Sequence, residues 1–143
     1  MGKRQAWGLV GLRVCLGVFF LFEGLGKSAW FTSSAVLRSR LTEWASNVGP
    51  VSRTYIELVC LPNVEIFARM VPAAELATAA ALILGGYTRL AALLALLMVL
   101  NFHFASGVMF QYSYLTNGYG LPVLGGLLAL AVGGGGLPLS VRK

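Results

Sequence analysis

Charge is scarce in this sequence. Asp, Glu, Lys and Arg together make up 11% of 143 residues, while 57% are hydrophobic. A soluble globular domain carries about 25% charged residues. So much apolar surface cannot be hidden inside one small domain, so the solvent is expected to be lipid. Histidine is scarcer still: His103 stands alone, which excludes a zinc site of several histidines and a bis-histidine haem. The two cysteines, Cys15 and Cys60, show no CxxC spacing and read as small buried hydrophobes. The eleven Lys and Arg are scattered and form no run, so they read as topology markers and anionic-lipid contacts rather than a nucleic-acid surface. No small-x-small cleavage site follows the first apolar run, which also contains Arg13 and Glu23, so that run reads as retained.

What is abundant is apolar sequence. Residues 71–107 read as two antiparallel membrane helices folded back at Gly85-Gly86-Tyr87. Each arm reaches the roughly 20 residues that a hydrocarbon core of about 30 Å demands. The spacing predicts spans at about 7–27, 63–85, 88–110 and 119–137, within a single domain over 1–143. Trp7 after Lys3-Arg4 suits an interface, and Arg13 is expected to snorkel back to it. Gly8, Gly11, Gly17 and Gly24 would permit close helix approach. Glu23 and Lys27, like Glu65 and Arg69, are spaced for an i,i+4 ion pair. Residues 34–45 place Val36, Leu37, Leu41 and Trp44 at helical spacing among Arg38, Arg40 and Glu43, predicting an interfacial amphipathic helix ended by Asn47-Val-Gly-Pro50. Pro72 is expected to kink the second span. The architecture is therefore all-α, a four-helix membrane bundle with a short interfacial helix between spans one and two. The positive-inside rule places both termini in the cytoplasm.

Ionisable groups inside a membrane are functional candidates by default. With alternating topology, Glu23, Lys27, Glu65, Arg69, Glu75, Asn101 and His103 fall in one leaflet. Such a cluster serves as a structural ion-pair network, a quinone or lipid-headgroup site, or a proton or ion pathway. His103 could donate to a quinone carbonyl, ligate a pigment or haem, or simply be satisfied by Asn101 or a carboxylate. Phe102, Phe104, Phe110, Tyr112, Tyr114 and Tyr119 read as an interfacial belt.

The order of these features resembles the DoxX-like family of small four-span membrane proteins, which includes the small subunit of thiosulfate:quinone oxidoreductase. The pieces are Arg13-x3-Gly17, Phe22-Glu23-Gly24-x-Gly26-Lys27, Glu75-Leu76, Leu84-Gly-Gly-Tyr-Thr-Arg89, Asn101-Phe-His-Phe-Ala-Ser-Gly107 and Asn117-Gly-Tyr-Gly120. They span about residues 8–137. The resemblance implies a four-helix bundle linked to respiratory or sulfur redox chemistry through quinone. With no flavin, haem or iron–sulfur signature, redox catalysis would need a partner subunit or a bound quinone.

The expectation is a membrane subunit, in a prokaryotic inner membrane, that engages quinone through an intramembrane site. Glu75 and His103 are the candidate catalytic residues; Glu23, Lys27, Arg69 and Asn101 are the candidate quinone-binding residues. The alternative is a non-catalytic accessory subunit of a larger respiratory or photosynthetic complex, docked through its glycine-rich fourth span.

Overall fold

The computed structural model describes residues 2–141. Its described residues contain helices and no strand. Helix α1 spans Lys3–Gly26, α2 Ala35–Asn47 and α3 Pro50–Tyr55. Helix α4 spans Val64–Leu84, α5 Thr88–Ala105 and α6 Leu121–Gly133. Helices α1, α4 and α5 are each long and apolar enough to cross a membrane; α6, at 13 residues, is shorter.

The four apolar helices form a bundle around one core, built from Phe20, Ala79, Leu82, Ala92, Ala95, Leu127 and Leu130. The tightest contact is α1 on α4. A Cβ on Gly17 would stand 2.7 Å from Ile83 Cγ1, and one on Gly24 would stand 2.8 Å from Leu76 Cγ. These glycines lie seven residues apart, on one helix face, and they let the two backbones meet. Gly8 and Gly11, expected to serve likewise, have nothing within 4 Å of such a Cβ. The α4–α5 hairpin closes as expected, with Gly85 at φ 74° and Tyr87 at φ 50°.

Several boundaries move. The third span stops at Ala105 rather than 110, because Gly107 turns left-handed at φ 70° and short 3-10 turns occupy Val108–Phe110 and Tyr112–Thr116. The fourth helix is confined to Leu121–Gly133, since four consecutive glycines from Gly133 carry high entropic cost in a helix. Helix α4 runs through the buried Pro72 without a break. Pro50 does not merely end the preceding helix: it opens α3, which continues through a π turn at Ile56–Cys60. The amphipathic α2 turns Leu37 and Leu41 onto protein, in a second core with Trp30, Ile56, Cys60, Val64 and Ala68. Helices α2 and α3 thus cap one end of the bundle.

At the opposite end, Arg13 does not snorkel. It is 1% exposed, with Nη1 donating to Ser140 Oγ at 2.8 Å and Nη2 to the Leu139 carbonyl at 2.8 Å. Val141 N–H also donates to the Leu84 carbonyl at 3.1 Å, so the tail folds back onto the hairpin.

Candidate functional site

A cavity of about 280 Å³ lies between the bundle and its cap. Helix α1 supplies Phe19 and Glu23, Lys27 follows at its carboxyl end, and α4 supplies Glu75. Helix α5 adds Phe102 and His103; α2 closes the mouth with Arg40 and Trp44, and Tyr119 stands at the α6 end. Phe19 and Tyr119 meet with ring centroids 5.8 Å apart, closing the gap between α1 and α6.

Lys27 organises the polar wall. Its Nζ lies 2.8 Å from Glu23 Oε2 and 2.9 and 3.0 Å from the two Glu75 oxygens; it also donates to the Glu23 carbonyl at 3.1 Å. One turn of α1 sets the first pair, and the close approach at Gly24 sets the second, since Gly24 faces Glu75 Cβ. Exposure rises along the chain of groups: Glu75 6%, Lys27 13%, Glu23 38%. A buried carboxylate is thereby linked through one ammonium to the surface. Glu23, Glu75 and Lys27 together carry one formal negative charge, and Arg40 at the mouth offsets it. Arg40 and Lys27 each lie 6.0 Å from the ring centroid of the buried Trp30, a contact that favours a cation.

His103 lies on the α5 wall. Its partner is Tyr114, with Nδ1 and the phenol oxygen 2.8 Å apart, rather than Asn101 or a carboxylate. Burial pushes the Tyr114 phenol above its ordinary range, so it stays a hydroxyl able to donate to Nδ1. With Tyr114 donating, the ring proton resides on Nε2, which becomes the donor available to a ligand.

The structure therefore brings Glu23, Lys27, Glu75 and His103 to one cavity, and it places Arg69 and Asn101 elsewhere. Arg69 Nη1 pairs with Glu65 Oε2 at 2.8 Å on an exposed face, where Ser34 also donates to Glu65. Asn101 accepts from the Tyr55 hydroxyl at 2.5 Å, outside the cavity. Arg40, Trp44 and Phe19 were not anticipated there. The i,i+4 spacing of Arg40 and Trp44 was the available signal that they share a face. Tyr114 is 7% exposed and belongs to the histidine, not to an interfacial belt.

Apolar helices of membrane-crossing length around a buried ion-pair cavity define a small all-α membrane protein. The chain belongs to the DoxX family, whose model matches residues 8–107. The match includes Glu23, Lys27, Glu75 and His103, and it ends before Tyr114, Tyr119 and α6. No curated protein and no solved structure matched the chain.

Proposed function

We propose that this DoxX protein is a membrane subunit of a quinone-dependent respiratory or sulfur redox system, with the cavity as the seat of the quinone head group. The supporting observation is the Lys27 ammonium held between Glu23 and Glu75 in a cavity walled by aromatic rings. Its volume, about 280 Å³, lies just below the range of about 300 to 1,000 Å³ usual for ligand pockets. That suits a single ring with two carbonyl oxygens. A bound quinone supplies two-electron, two-proton redox chemistry, with the electrons delivered by a partner redox subunit. Lys27 Nζ and His103 Nε2 are the donors for its carbonyl oxygens. Phe19, Trp44, Phe102 and Tyr119 offer ring faces and keep water out. Glu75 holds or passes a proton at its carboxylate, and Glu23 connects it to the surface.

The test is binding of a short-chain benzoquinone to the full chain in lipid nanodiscs. Lys27→Met should weaken binding about tenfold or more, the loss expected for one charge-assisted hydrogen bond. Arg69→Ala, outside the cavity, should leave binding unchanged. Absence of saturable binding by the wild-type chain sinks the reading.

The alternative, a non-catalytic accessory subunit, is favoured by an apolar groove of about 370 Å³ between α4 and α5. Ala74, Ala77 and Ala81 face Leu90 and Leu94 across it, which suits a partner helix. Co-purification with a large complex, without quinone on this chain, would select that reading.

A further inference from the structure

The five carboxylates of the sequence, Glu23, Glu43, Glu57, Glu65 and Glu75, lie on the capped side of the bundle or on the way to it. The other end carries Lys3, Arg4, Arg13 and Arg89 with no acid near them in sequence. Along α4, Gly85 beside Arg13 is ten residues from Glu75, about 15 Å of helix. Arg13 is therefore a buried cation that forms no ion pair among the described residues. Two of its donors go to the neutral acceptors Ser140 Oγ and the Leu139 carbonyl. Its Nε is buried without a hydrogen-bond partner among the described residues. A buried charge left so incompletely compensated is costly, the more so in a membrane protein.

Ser140, which accepts from Arg13, also lines a cavity of about 180 Å³, room for roughly six waters at about 30 Å³ each. It is lined by Ser140, Arg89, the backbone of Gly134, Gly135 and Gly136, and the first turn of α5. We propose that this cavity binds a phosphate group, that of an anionic lipid headgroup or of free phosphate, as the counter-ion of the Arg13–Ser140 pair. Ser140 Oγ accepts from Arg13, so its own hydrogen is left to donate into the cavity, extending the arginine's charge through one hydroxyl. Arg89 spends its Nε on the Ala131 carbonyl at 3.0 Å, which anchors the side chain and leaves its terminal nitrogens for phosphate oxygens. The amino end of α5 adds the partial positive charge of a helix of 18 residues. Three glycines in a row let the backbone approach an oxygen without a Cβ in the way.

The site is independent of the quinone cavity, and the test does not involve quinone. Phosphatidylglycerol and, separately, inorganic phosphate are titrated onto the purified full chain, with retention followed by native mass spectrometry and melting temperature. Ser140→Ala and Arg89→Gln should each weaken binding about tenfold. Lys3→Gln with Arg4→Gln, which removes two charges from the same end but none from the cavity, should leave it within about twofold. Binding of phosphatidylglycerol alone with this pattern identifies a lipid phosphate. Binding of inorganic phosphate with the same pattern identifies a free one, and the site stands in either case. Equal weakening by the Lys3/Arg4 pair, or no binding by either probe, overturns the proposal.

Discussion

Lys27 is the residue on which the buried carboxylate depends. Removing one partner of a buried pair strands the other, at about 3–5 kcal/mol. Lys27→Met should therefore destabilise the fold by about that much in thermal unfolding, and adding Glu75→Leu should recover most of it, because the stranded charge then disappears. Two tyrosines give a prediction in pH. Burial leads the rise of Tyr55 and Tyr114 above the ordinary 10.0. A raised folded pKa contributes stability that is complete below the unfolded value and is lost as pH climbs through the folded one. Stability should fall in alkaline solution above pH 10, and Tyr114→Phe should flatten part of that fall in a pH series of melting curves. The i,i+4 pair Glu23–Lys27 was legible in the sequence because a helix repeats every 3.6 residues. The same period shows why two candidates lie elsewhere. Arg69 precedes Glu75 by six residues, about 120° around the helix, and Asn101 precedes His103 by two, about 160°. Sharing a leaflet is not sharing a face.

Between elements, closeness depends on single atoms. Gly24→Val would push into Leu76 and Glu75 and force α1 from α4, at about 1–3 kcal/mol of overpacking. It should also loosen the Lys27–Glu75 pair. Gly11→Ala, with open space around it, should be neutral or stabilising by up to about 1 kcal/mol. Denaturation of the two variants side by side checks the contrast. Glycines were visible in the sequence as a set, but which of them touch α4 depends on the crossing point of two helices. That crossing is a property of both sequences at once. Helix α3 was obscured for a related reason. Its start at Gly49-Pro50 carries turn chemistry, and tertiary contacts hold the residues after Pro50 in a helix: Ile56 and Cys60 pack under α2, and Ser52 donates to the Phe104 carbonyl at 2.7 Å.

For the molecule as a whole, the start of α1, the α4–α5 hairpin and residues 139–141 gather at one end. The cap and the 108–120 turns lie at the other. Single cysteines replacing Arg4, Gly86 and Tyr112, in a chain without Cys15 and Cys60, should react with a membrane-impermeant maleimide from one side at 4 and 86 and from the other at 112. The expected outcome by the positive-inside rule is that the first side is the cytoplasmic one, which labelling of intact cells checks. The overall plan was readable because apolar length and turn chemistry are local properties. The length of the last helix was not, since its apolar composition continues past Gly133 while its backbone does not. Helix α6 has 13 residues, about 20 Å, against a hydrocarbon thickness of about 30 Å. Leu121, Leu128 and Val132 lie exposed along it. A lipid layer meeting so short an apolar wall must thin to match it. Headgroups and their water then dip toward Tyr119 and the cavity behind it. The bilayer itself would thus be dimpled on this flank, bringing the aqueous boundary to a site that lies within the bundle.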